Sequence, residues 1–216
     1  MLGRAYGIAR SLVMYHGVPG RHRKMVRFYG EFLGPGDIGI DVGAHVGSRV
    51  RAWRALGARP GTARLGISTA TPTVSSLSTD WIDTVATDRS FAKVRWDRSV
   101  EVPVTTLDAL IATHGEPAFC KIDVEGFEAE VLAGLTRPVR ALSFEYLPMA
   151  HDAALTVLER VGELGSYRYN YSPIETMTWA SDRWLDAAEL RTLLDRYHPL
   201  GRSGDVYARL EPTKIA

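Results

Sequence analysis

Lys121, Asp123 and Glu125 alternate with apolar residues in CKIDVEG, Cys120 to Gly126, a stretch that otherwise reads as a buried strand running into a helix. A second stretch, IDVGAHVG from Ile40 to Gly47, ends an apolar run on Asp41 and then turns on glycines. A third apolar run, RALSFEYL, ends around Glu145. In parallel α/β sheets ligands bind in the crevice beyond the carboxyl ends of the strands. One acid at such an end reads as a helix N-cap or a surface ion pair. Three of them, on strands that are neighbours, point to a shared polar site. Lys121 lies two residues before Asp123 and so shares its side of the strand. An ion pair with Asp123 or Glu125 would satisfy its buried charge.

The glycine turn narrows the ligand. A dinucleotide fingerprint is G-x-G-x-x-G. Here His45 stands where the second glycine would let backbone approach a pyrophosphate, which argues against NAD or FAD and so against an NAD-dependent oxidoreductase. The D-x-G-x-x-x-G turn from Asp41 to Gly47 suits a smaller ligand, such as the zwitterionic end of an amino acid. His45 is open to two readings, a contact to a base or hydroxyl and a satisfied loop histidine. No residue is assigned as a metal ligand, although hard carboxylates suit Mg²⁺ and an ion bridging Asp123 and Glu145 is the alternative.

The elements that must position these residues alternate in type. KMVRFYGEFL, Lys24 to Leu33, reads as a helix stopped by GPG, and DIGIDV as a short buried strand. SRVRAWRALGAR reads as a helix with Val46, Val50 and Trp53 on one face and Gly57 at its end. GTARLGIST is a candidate strand, and TPTVSSLSTDWIDTV a loop leading into a short helix. From Val100 the pattern is regular: SVEVPVTTL strand, TLDALIATHG helix, AFCKIDV strand, GFEAEVLAGL helix, RALSFEYL strand, DAALTVLERVGELG helix, YRYNYSP strand. DAAELRTLLDRY then opens on a capping box, Asp186 and Glu189, and GDVYARL closes as a strand. Strands alternating with helices predict an α/β sheet with helices on its faces. The aromatic run from Tyr167 to Trp179 reads either as strand packing or as an acceptor pocket.

The bulk numbers set limits. A chain of 216 residues can bury one real core. A formal net charge of +1 selects neither nucleic acid nor an anionic membrane as partner. Cys120 is the one cysteine, so no intramolecular disulfide can form, which fits a reducing, cytoplasmic setting. No apolar run approaches the ~20 residues of a bilayer span. The first residues carry Arg4 and Arg10 and lack a clean apolar centre, so no signal peptide is expected. Leu2, Ala5, Ile8, Leu12 and Val13 fall near one helical face and predict a docking helix rather than a membrane-surface helix.

IDVGAHVGSRVRAWRALGAR and VTTLDAL…FCKIDVEGFEAEVLAGL…ALSFEY together resemble the FkbM family of S-adenosylmethionine-dependent methyltransferases. KIDVEG followed by E-x-x-VL-x-G is the most specific part. The resemblance implies a Rossmann-like, seven-stranded methyltransferase domain over residues 37–216, after an N-terminal helical segment over 1–36. It implies methyl transfer to a hydroxyl of a small molecule such as a sugar or polyketide. By it Asp41, Gly43 and Gly47 would hold the methionine half of S-adenosylmethionine, with Ala44, His45 and Asp108 counted on the cofactor side. Asp123 and Glu125 would sit where the methyl group meets its acceptor, with Glu145 and Tyr146 on the acceptor side. Asp123 is the first candidate for the base, Glu125 for hydrogen bonding to cofactor or acceptor, and Lys121 for holding the acid cluster.

The chain departs from the family in one place. There, the helix after the glycine turn leads to a second strand ending in V-x-x-x-E-P, whose acid binds the ribose. Here ALGAR runs straight into PGTARL. A strand, helix and strand are missing, on the order of 35 residues. The expected sheet therefore lacks one or two strands on one side, and the glycine-turn strand becomes an edge that would favour a homo-oligomer unless covered. ARLGIST could shift in to pair with it, and Asp80 or Asp83 could replace the ribose acid. A catalytically impaired protein of the same fold, binding ligand weakly or not at all, is the alternative function.

Overall fold

The computed structural model describes residues 20–43, 55–174 and 176–212. The expected docking helix near the N-terminus lies outside them, as do Ala44, His45, Gly47 and most of the helix expected after the glycine turn. Helix α1, Arg21–Tyr29, starts and ends earlier than its apolar pattern suggests. Gly30 closes it, its N–H donating to the Val26 carbonyl.

Five strands form the main sheet in the order β1-β5-β6-β8-β7. They are β1 Gly39–Val42, β5 Phe119–Ile122, β6 Ala141–Tyr146, β7 Tyr167–Pro173 and β8 Gly204–Leu210. The first three run parallel, while β8 is antiparallel to both β6 and β7. β1 is the sheet's edge and is correspondingly half exposed, not fully buried. A separate three-stranded sheet has the order β2-β4-β3, from Ala55–Leu56, Arg98–Thr105 and Gly61–Ile67.

Two expectations are corrected here. Ala55 and Leu56 are strand, not the end of a helix: they run parallel to β4, Leu56 is buried, and the Gly57 N–H donates to the Thr105 carbonyl. Gly57 therefore continues an extended pairing and does not end a helix. ARLGIST does not shift in beside β1. It belongs to β3, which pairs antiparallel with β4 over seven register positions, Gly61↔Val104 to Ile67↔Arg98, and a ladder of that length outcompetes a four-residue edge.

The intervening helices are α2 Thr79–Ala86, α3 Leu107–His114, α4 Glu128–Ala133, α5 His151–Leu164 and α6 Ala187–Tyr197. Ser78 and Thr106 cap α2 and α3 through their hydroxyls, and the Asp186–Glu189 capping box opens α6 as expected. Strand alternation sorts the main sheet into two faces. One carries Ile122, Leu142, Phe144, Tyr146, Tyr169, Tyr171 and Val206, packed under apolar residues of α3 to α6. The other carries Phe119, Ala141 and Tyr207 under Phe28 of α1 and Phe32. The Tyr207 ring stacks on Phe32 at 5.8 Å and 18°. Helices thus cover both faces, as a Rossmann-like α/β sheet requires.

Tyr167, Tyr169 and Tyr171 all lie on the core face. The Tyr167 hydroxyl donates to the Val139 carbonyl at 2.7 Å and that of Tyr171 to the Arg202 carbonyl at 3.1 Å. These tyrosines are strand packing, with the hydroxyls of Tyr167 and Tyr171 satisfied.

Candidate functional site

Register builds the site. Asp41, Lys121, Ser143 and Tyr207 are successive partners across β1, β5, β6 and β8, so they form one row on the α1 face. Two residues on, Asp123 and Glu145 stand at the carboxyl ends of β5 and β6, with Asp205 paired to Glu145. Lys121 reaches along its strand to an ion pair with Asp123. Asp123, Glu125 and Glu145 converge until one oxygen from each lies within 4.8 Å of the others. Among the described residues this trio is the group of hard oxygen donors that could ligate a divalent cation.

The turn after β5 is held from several sides. Gly43, at φ +90°, brings β1 so close that a Cβ there would fall 1.6 Å from the Asp123 carbonyl oxygen. The Asp123 N–H donates to the Val42 carbonyl at 2.9 Å. Glu125 itself is left-handed, φ +54°, a conformation that a side chain adopts only when its surroundings impose it. Gly126 follows at φ +84°, with the Trp81 ring of α2 so close that a Cβ would fall 2.2 Å from it. The buried Glu128 carboxylate accepts from the N–H groups of Val124, 3.1 Å, and Gly126, 3.2 Å. Ser76 Oγ donates to the Glu125 carbonyl at 2.6 Å. A small cavity of about 20 Å³, room for one water, lies against Glu128, Glu145, Trp81 and Gly126.

Crowding shifts these acids. Burial, then Asp123 and Glu128, push the Glu125 carboxyl up to about 8, against the pull of Lys121. Burial raises Glu145 well above the carboxylate range, with Glu125, Asp123, Glu128 and Asp205 adding to it. Glu128 is raised by burial even though backbone N–H groups oppose it. Asp41 keeps solvent contact, yet partial desolvation raises it, with Lys121 opposing and Asp123 reinforcing. Burial works against the Lys121 ammonium, but Asp123 and Asp205 outweigh it and hold the charge.

The structure therefore brings together Asp41, Gly43, Lys121, Asp123, Glu125 and Glu145. It separates two residues expected beside them. Tyr146, the neighbour of Glu145 in β6, points to the opposite face by strand alternation. It is fully buried there, with its hydroxyl on the Leu194 carbonyl and 3.0 Å from His151 Nδ1. Asp108 sits in the first turn of α3, where its carboxylate accepts from the Thr136 N–H, 3.1 Å, and hydroxyl, 2.7 Å. Both are fully engaged in holding the fold. Asp80 and Asp83 lie exposed on α2.

Ser76, Trp81 and the turn-closing role of Glu128 escaped sequence reasoning. Glu128 was legible only as an acid near a helix start, because burial of its carboxylate under Val124 and Gly126 leaves no mark in spacing. Ser76 lies in a serine-rich loop with no periodicity to single it out.

A mixed sheet of this order, with acids gathered at the carboxyl ends of β1, β5 and β6, is consistent with a Rossmann-like methyltransferase fold. The methyltransferase FkbM domain is the family whose model matches, over residues 55–171, and the chain belongs to that family. The matched residues include Lys121, Asp123, Glu125, Glu128 and Glu145, while the glycine turn after β1 precedes them. No curated protein and no solved structure matches the chain. No helix among the described residues is long and apolar enough to cross a membrane.

Proposed function

We propose that this methyltransferase uses S-adenosylmethionine to methylate a hydroxyl of a small molecule such as a sugar or polyketide. The observation that carries this reading is the convergence of Asp123, Glu125 and Glu145 beside the β1 glycine turn. Bound S-adenosylmethionine supplies an electrophilic methyl group. Asp41 and Gly43 fit its amino-acid end in this reading, because Asp41 keeps solvent contact at the carboxyl end of β1 and a carboxylate there suits an ammonium. Ala44, His45 and Gly47, also expected on the cofactor side, lie outside the described residues.

The acceptor hydroxyl then meets the carboxylates of β5 and β6. Asp123, the first candidate for base from sequence, has one oxygen engaged by Lys121. Glu125 has a carboxyl poised near neutrality, where a general base works best. In this reading Glu125 would take the proton of the acceptor hydroxyl, and the bound cofactor would supply the methyl group that makes it a methyl ether. Asp123 and Lys121 orient the acceptor, and Glu145 binds it. Methyl transfer from labelled S-adenosylmethionine to a panel of hydroxyl compounds tests this. The Glu125→Gln variant is expected to lose on the order of 10²-fold or more in kcat, and undiminished kcat would refute the assignment.

A specific observation favours a second reading. Among the described strands β1 pairs with β5 alone, and no described acid stands beyond it to bind a ribose. A chain of this fold that binds the cofactor weakly and turns over slowly or not at all would show the same sheet.

A further inference from the structure

We propose that Ser76 is a positioning residue through which the three-stranded sheet holds the left-handed turn at Glu125 and keeps its carboxylate against Asp123 and Glu145. The inference rests on the reading of Glu125 as the base, and it assigns the small sheet a role in that site.

The geometry is continuous from sheet to turn. The Gly66 N–H of β3 donates to the Ser76 carbonyl at 2.8 Å, and the Ser76 N–H returns to the Gly66 carbonyl at 3.0 Å. Ser76 is therefore fixed to β3 by a two-bond bridge. Ser76 is 1% exposed, and its hydroxyl donates to the Glu125 carbonyl and accepts from the Ser78 N–H at 2.9 Å. Ser78 in turn caps α2, and α2 carries Trp81 onto Gly126. The Trp81 ring is itself fixed edge-on to Phe91 and Trp96, at 5.8 and 6.1 Å. One end of the turn is thus gripped from the small sheet, by Ser76 and Trp81. The other is gripped from α4, by Glu128 on the Val124 and Gly126 N–H groups.

A left-handed Glu125 costs on the order of 1–3 kcal/mol and persists only where its surroundings over-determine it. The Ser76 bond holds the carbonyl side of the Glu125–Gly126 peptide, whose N–H is held by Glu128. Without it the turn can relax and carry the carboxylate away from its neighbours. The charged groups facing that carboxylate are Asp123 and Lys121 from β5, Glu145 from β6 and Glu128 from α4. From the α2 side Ser76 and Trp81 carry no charge. Replacing Ser76 therefore changes no charge near Glu125, so any change in its titration reports position. Replacing Glu128 would confuse the two effects.

The test is a pH titration of the side-chain carboxyl carbon of Glu125, observed by NMR on ¹³C-glutamate-labelled protein and assigned by Glu125→Gln. The wild type is expected to titrate near 8. Ser76→Ala is expected to fall toward the ordinary carboxylate value by roughly one pH unit or more. Ser76→Cys keeps the volume and offers only a weak donor, so it should move the same way and serves if Ser76→Ala does not fold. An unchanged midpoint in a folded variant overturns the proposal, as does a wild-type Glu125 that titrates near 4.5. Absence of methyl transfer in the wild type would sink the functional reading and leave this one standing, because the readout needs no turnover.

Discussion

Gly43→Ala is the sharpest perturbation the structure offers. The residue sits at φ +90°, and a Cβ would lie 1.6 Å from the Asp123 carbonyl oxygen and 2.6 Å from its carbon. These are backbone atoms, so no rotamer change can make room. A non-glycine residue with left-handed φ costs roughly 1–2 kcal/mol. Forcing a methyl into packed structure adds about 1–3 kcal/mol. Pushing β1 off β5 also strains the Asp123 N–H bond to Val42, worth about 1 kcal/mol. The sum is about 4 kcal/mol, a large share of the 5–15 kcal/mol typical of a domain. Urea unfolding followed by tryptophan fluorescence reads this directly. At a slope of about 2 kcal/mol per molar, the midpoint should fall by about 2 M. Gly36→Ala is the control: its φ is +88°, but a Cβ there meets nothing within 4 Å. It should show the backbone cost only, a midpoint change of under about 1 M. Equal losses in the two variants would refute the claim that contact with Asp123 fixes the turn.

Other predictions concern groups whose environment is unusual. Ser143 Oγ is buried without a hydrogen-bond partner, so Ser143→Ala should be neutral or stabilising by about 1 kcal/mol, read as a melting temperature unchanged or up to ~4 °C higher; a drop of that size would show a hidden partner. Glu125 has its folded pKa raised from 4.5 to about 8, so between those values the folded state binds more protons than the unfolded one and stability falls as pH rises. The fall through that window should be on the order of 5 kcal/mol at about 1.4 kcal/mol per pH unit, and Glu125→Gln should flatten it; a profile that rises from pH 5 to pH 8 contradicts the sign. Burial pushes the Cys120 thiol up to about 12, so native protein should resist a thiol reagent at pH 8 that labels it at once in urea.

Much of the site was legible because strand periodicity and strand ends are written in residue order. Asp41, Asp123 and Glu145 could be placed at one sheet edge from alternation, and Lys121 beside Asp123 from a spacing of two. The capping box at Asp186 was equally local, while the α3 cap was legible only as Thr105 or Thr106. What stayed hidden depends on contacts distant in sequence. Ala55 and Leu56 carry a helical pattern with the residues before them, and only pairing with Val104 and Thr105 makes them strand. The same alternation that united Asp123 with Glu145 turns Tyr146 to the other face, so adjacency in sequence misled there. Glu125 was read only as an acid where a strand runs into a helix. Its left-handed conformation is imposed by Ser76, Trp81 and Glu128, two of which lie more than forty residues away in the chain.

The central claim is that this chain, whose β1 pairs with β5 alone among the described strands, forms a cofactor site between the Gly43 turn and the carboxylates of β5 and β6. Calorimetric titration of the folded protein with S-adenosylhomocysteine tests it most directly. The account expects saturable binding in the micromolar range, about 8 kcal/mol, weakened or lost in Gly43→Ala. A folded wild-type protein that shows no binding at millimolar ligand would contradict it.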